Sequence, residues 1–114
     1  MKICPNTIMT RYQKMVLEAD FKKKFCARLK KEVKPKPLAI IQYKQDSTTL
    51  SGFPDTIVFL EALTVFIEFK KSKTARFRPG QKEWIQKLND NGHFAFVCTP
   101  ETADEVLEEI KKVA

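Results

Sequence analysis

Residues 51–73 read SGFPDTIVFLEALTVFIEFKKSK, and two strand-like runs inside them decide the fold. TIVFL (56–60) and VFIEF (65–69) are rich in β-branched and aromatic residues. The four residues EALT between them predict an antiparallel hairpin. A turn over 61–64 would pair Leu60 with Val65 and set Asp55 across from Lys70. Side chains alternate faces along a strand, so Glu68 would share the face of Lys70, with Val58, Leu60, Val65, Ile67 and Phe69 on the other.

That pattern brings charge onto strands that otherwise read as buried, and an unpartnered charge is costly to take out of water. Opposed residues on paired strands lie about 5 Å apart and diagonal ones about 7–8 Å, so two carboxylates can converge on one ion with an ammonium in reach. Two close carboxylates repel unless a cation neutralises them. Lys70 supplies one positive charge. A hard, oxygen-preferring ion such as Mg²⁺ would supply the rest and keep coordination sites for water and phosphate. Such a centre is suited to phosphodiester cleavage, with Asp55 and Glu68 as direct ligands and Lys70 orienting water or stabilising the transition state. The competing reading is a salt-bridged cluster at a strand end. Gly52 and Pro54 suit either an ordinary loop-to-strand junction or a device that fixes where Asp55 points.

Outward from the hairpin, residues 7–33 contain no Gly or Pro and read as helical, with Asn6 or Thr7 as cap and the PKP of 35–37 as stop. Leu17, Phe21, Phe25 and Leu29 draw one apolar stripe at four-residue spacing, with most lysines on the other faces. LAIIQYK (38–44) predicts a first strand, with Leu38, Ile40 and Gln42 on one face. A polar loop to residue 52 follows. After the basic segment KSKTARFRPG (71–80), QKEWIQKLND (81–90) predicts a helix stopped at Asn91-Gly92, with Trp84, Ile85 and Leu88 as core. HFAFVCT (93–99) predicts another strand. The final helix has Thr99 or Thr102 as cap, with Thr102 and Glu105 in capping-box spacing, and turns Val106, Leu107, Ile110 and Val113 inward. The expected order is helix, three strands, helix, strand, helix: an α/β (α+β) fold with a small mixed sheet flanked by helices, in a single domain over 1–114.

The basic excess is concentrated in the first part of the chain. Residues 1–44 hold twelve Lys/Arg against three Asp/Glu, whereas residues 101–114 hold two against five, within an overall net charge of +7. Such a field favours a polyanion, nucleic acid first and an anionic membrane surface second, or else a solvated lysine-rich helix. No apolar run approaches the length of a membrane span, and the N-terminus lacks a signal-peptide apolar core, so a cytoplasmic location is expected. Cys4, Cys26 and Cys98 are odd in number and widely spaced, which predicts reduced thiols rather than a disulfide framework or a zinc site. His93 has no partner at ligand spacing.

GFPD at 52–55, EFK at 68–70 and Gln81 opening the next helix resemble the VRR-NUC domain, a branch of the PD-(D/E)XK nuclease superfamily. The resemblance runs from about Leu17 to the C-terminus, leaving residues 1–14 as a possible N-terminal arm. It implies a restriction-endonuclease-like fold with Asp55, Glu68 and Lys70 as catalytic residues and Gln81 holding the lysine or a phosphate. Glu18 on the first helix would be an outer metal ligand through water, and the backbone carbonyl of Phe69 a further direct one. Lys44 matches a basic position of the family. By the same resemblance, small stand-alone members, many phage-encoded, act as homodimers on branched DNA such as four-way junctions, in the phage case within the host cytoplasm. Mg²⁺ would be the cofactor and Mn²⁺ its substitute. The segment after Lys70 departs from the family by lacking a Gly-containing turn and carrying Lys71, Lys73, Arg76 and Arg78 instead. Those four are candidate phosphate contacts. The remaining alternatives are a basic nucleic-acid-binding module that does not cut, and a nicking or flap nuclease without junction preference.

Overall fold

The computed structural model describes residues 11–42 and 51–114, with side chains from residue 19 onward. Seven elements follow in the expected order: α1 (Arg11–Glu32), β1 (Ala39–Gln42), β2 (Thr56–Phe59), β3 (Thr64–Phe69), α2 (Gln81–Asp90), β4 (Phe94–Cys98) and α3 (Ala103–Val113). Over the described residues α1 is one continuous helix. It stops ahead of Pro35 and Pro37, which cannot donate to a continuing helix.

The strands form one mixed sheet in the order β1-β2-β3-β4. The pairs β1/β2 and β2/β3 are antiparallel and β3/β4 is parallel. A parallel neighbour needs a crossover, and α2 supplies it between β3 and β4. One sheet face carries Val58, Val65, Ile67 and Phe69, buried under Phe25, Leu29 and Val33 of α1 and its C-terminal continuation and under Val106, Leu107 and Ile110 of α3. Burying side chains of this size contributes about 1.5–3 kcal/mol each. Phe21 and Phe25 both meet the ring of Phe69 edge-on, at 5.8 and 5.6 Å between centroids, and so fix α1 over the end of β3.

The hairpin register differs from the expected one by two residues. Val58 pairs with Val65 and Phe59 with Thr64, and the Leu60 N–H donates to the Leu63 carbonyl at 2.9 Å. The turn is therefore 60–63 rather than 61–64, because β-branched Thr64 already belongs to β3. A shift of two preserves every face, so the buried set is as expected. What changes is the pairing: continued one step beyond the strand, the register sets Asp55 opposite Glu68, not Lys70.

Smaller departures have local causes. Leu38, expected as the first residue of the strand, precedes β1 and is 67% exposed. Its N–H still donates to the Phe59 carbonyl at 2.7 Å, at the entry to the edge strand of the sheet. Thr102 caps α3 by position without a side-chain cap bond. Its hydroxyl instead accepts from the Thr99 N–H and pairs with the Thr99 hydroxyl, both at 3.0 Å, so the capping box is not formed. Of the three α2 residues expected in the core, only Leu88 is buried; Trp84 and Ile85 are half-buried. Cys26 and Cys98 are free thiols, and burial pushes Cys98 up to about 12. Tyr43, Lys44 and Cys4 lie outside the described residues.

Candidate active site

Asp55 sits in the bend just before β2, Glu68 near the end of β3 and Lys70 just after it. The approach to Asp55 is shaped by a tight backbone contact. Gly52 has φ +79°, and a Cβ there would lie 2.4 Å from the Gly80 carbonyl carbon and 2.6 Å from the Gln81 nitrogen. Only glycine fits both the left-handed φ and the contact. The indole N–H of Trp84 donates to the Ser51 carbonyl at 3.1 Å, and Phe53 stacks edge-on between Trp84 and Phe66. The GFPD segment is thus clamped onto the first turn of α2, which also carries Gln81.

Glu68 is 4% exposed, and its Oε1 is buried without a hydrogen-bond partner among the described residues. Burial, then the negative charge of Asp55, pushes its carboxyl up to about 7, against the opposing pull of Lys70, Lys22 and Arg78. The Lys70 ammonium, also buried, donates to the Gln81 Oε1 at 2.6 Å and to the Arg76 carbonyl at 3.3 Å. It lies 5.2 Å from the centroid of the Phe77 ring. Gln81 is itself 1% exposed, and the same Oε1 accepts the Arg78 backbone N–H at 2.7 Å. One amide oxygen therefore ties the lysine, the basic loop and α2 together.

A cleft of about 580 Å³ is lined by Lys73, Arg76, Phe77, Arg78, Lys82 and Glu83 among others, and Arg76 and Phe77 of its lining also contact Lys70. Three of the four loop cations singled out in the sequence line it, and Lys82 from α2 joins them. Lys71 is exposed outside it. Glu18 lies on α1, but its side chain is outside the described residues, as is Lys44 altogether. Among the described residues no three His, Cys, Asp or Glu side chains form an ion-holding group. The carboxylate pair Asp55 and Glu68 is what they provide.

Sequence reasoning missed the cation in contact with Asp55. Lys22 Nζ lies 3.1 Å from Asp55 Oδ2 and 5.9 Å from the centroid of Phe69. The signal was its place next to Phe21 on the apolar stripe. Once Phe21 and Phe25 dock on Phe69, Lys22 is carried over the end of β3.

A small mixed sheet flanked by helices, with two carboxylates and a held lysine at the end of its central hairpin, defines a restriction-endonuclease-like nuclease domain. The chain belongs to the VRR-NUC domain family, whose pattern it matches over residues 6–101. The match reaches further toward the N-terminus than residue 17 and ends before α3. Among solved structures it is similar to a VRR-NUC domain protein at 24% identity and a TM-score of 0.62, over 82% of this chain and 84% of that one. That likeness speaks for the fold. No curated protein matches the chain.

Proposed function

We propose that the chain is a divalent-metal-dependent endonuclease that hydrolyses phosphodiester bonds in branched DNA, four-way junctions among its substrates, working as a homodimer. The observation that carries this reading is the buried Glu68 Oε1, without a hydrogen-bond partner among the described residues, next to Asp55 and the Gln81-held Lys70. Buried polar atoms are rarely left without a partner except where they serve a site. A hard cation with a preference for carboxylate oxygen fits the pair. Asp55, Glu68 and the Phe69 carbonyl would hold Mg²⁺ directly, Glu18 through water, and Mn²⁺ would substitute.

The metal, when bound, lowers the pKa of a coordinated water and neutralises charge on the phosphate. The chain's own groups do the rest. Lys70, fixed by the neutral oxygens of Gln81 and Arg76, keeps its charge directed rather than spent on a carboxylate at those contacts. It can donate to the attacking water or to a phosphate oxygen as charge develops there. Lys73, Arg76, Arg78 and Lys82 line the neighbouring cleft and suit backbone phosphates, contacts that set position without reading sequence. Two symmetric sites in a homodimer suit paired cuts across a junction. Among the described residues no helix is long and apolar enough to cross a membrane.

The test is cleavage of a labelled four-way junction and a matched linear duplex by the purified protein, with Mg²⁺, Mn²⁺ or EDTA, alongside Lys70→Ala. Metal-dependent cutting that disappears in Lys70→Ala is expected, with the junction preferred. Salt-sensitive DNA binding without cutting under any metal would replace this reading with a non-cutting binding module. Equal cutting of both substrates would leave an endonuclease without junction preference.

A further inference from the structure

Of the three consecutive lysines at 22–24, one is turned inward. Lys23 and Lys24 are exposed, and Lys24 pairs with Asp20 along the helix surface at 3.1 Å. The Lys22 side chain is 31% exposed and reaches Asp55, itself 18% exposed, at 3.1 Å. Its ammonium stands 5.9 Å from the Phe69 ring centroid, and Phe69 lies between Glu68 and Lys70 in sequence. Neither end of this contact is free to drift: α1 is anchored by Phe21 and Phe25 on Phe69, and Asp55 by the Gly52 clamp on α2.

The same Asp55 carboxylate is the one a divalent ion would use. A monovalent ammonium at 3.1 Å and a metal ion at coordination distance compete for the same negative charge, and with neither present Asp55 and Glu68 repel each other more strongly. We infer that Lys22 is a resident counter-ion of the metal site: it holds Asp55 before metal binds and must leave its carboxylate when metal arrives, so that it sets the metal concentration at which the site loads. Lys22 is in this account a positioning residue, acting through Asp55. The inference rests on the metal-centre reading above.

It is tested without DNA, by calorimetric titration of Mn²⁺ into the full chain and by the melting temperature with and without Mn²⁺. The variants are Lys22→Met, which keeps the length and removes the charge, Lys22→Arg, and Lys24→Met as a control. A part-exposed ion pair is modest in strength, so Lys22→Met is expected to bind Mn²⁺ about fivefold more tightly. It should melt lower than wild type without metal and gain more on adding it. Lys22→Arg should restore the wild-type affinity, and Lys24→Met should leave it unchanged. Wild-type binding that Lys22→Met does not tighten, or that Lys24→Met tightens equally, overturns the counter-ion role while leaving the metal centre standing. If neither wild type nor Lys22→Met binds Mn²⁺, the metal-centre reading fails and this inference with it.

Discussion

The Gln81 amide oxygen lies 2.6 Å from the Lys70 ammonium, and both side chains are buried. That oxygen also accepts the Arg78 backbone N–H, so it satisfies a buried charge and a loop donor at once. A glutamine, unlike a carboxylate, does this without cancelling the lysine's charge.

Replacing Gln81 by Ala removes an acceptor from a buried ammonium, which costs about 2–3 kcal/mol where the donor is charged. We expect Gln81→Ala to lower the denaturant midpoint and to reduce cleavage by about tenfold or more through loss of the contact that positions the lysine. Gln81→Glu should keep the fold and still reduce cleavage, because a carboxylate would hold Lys70 as an ion pair. Equilibrium unfolding and single-turnover cleavage on the same preparations check both. Wild-type rates in Gln81→Glu would show that directing the lysine's charge is not what the amide is for.

How much of this centre could be read from sequence depended on the distance between its parts along the chain. The hairpin, with Asp55, Glu68 and Lys70, lies within sixteen residues, and period-two alternation fixed its faces even though the turn was misplaced. Because the error in register was two residues, no side chain changed face, and only Asp55's opposite neighbour was wrong. The Lys22 to Asp55 contact spans far more chain and depends on how α1 docks. That docking is set by Phe21 and Phe25 against Phe69, a tertiary fact with no local pattern. The Gly52 contact with Gly80 is similar: both glycines stand out in the sequence, but nothing local says that they touch.

Gly52 and Gly92 make a matched test of that contact. Both have positive φ, +79° and +85°, but a Cβ on Gly52 would strike the Gly80 and Gln81 backbone while one on Gly92 meets nothing within 4 Å. Gly92→Ala carries only the conformational cost, about 1 kcal/mol. Gly52→Ala adds a backbone clash that cannot be relieved by a rotamer change, so a loss of about 3 kcal/mol or more is expected. The separation also disturbs Gln81, so Gly52→Ala should lose cleavage while Gly92→Ala retains it. Paired denaturation curves and cleavage rates decide the matter; equal losses for the two variants would mean that the clamp is soft.

Glu68 has a carboxyl pushed from 4.5 up to about 7 in the metal-free fold, by burial first and then by Asp55. A carboxyl whose folded pKa lies above its unfolded value holds more protons folded than unfolded between those two values. Stability must therefore fall as pH rises through that interval, and the full penalty is present above about pH 7. The shift corresponds to a penalty of up to about 3 kcal/mol. Metal-free protein should accordingly melt at a lower temperature at pH 8 than at pH 5.5, with other titrating groups contributing a background that Glu68→Gln isolates. Glu68→Gln should flatten this part of the profile and be the more stable protein at pH 8, because its amide carries no charge to bury. Adding Mn²⁺ should restore wild type at pH 8 and leave Glu68→Gln nearly unmoved, since the cation compensates a carboxylate that the variant no longer has. Melting curves of the two proteins at both pH values, with and without metal, measure all of this; a wild-type profile parallel to that of Glu68→Gln would show that the buried carboxyl does not titrate in this range.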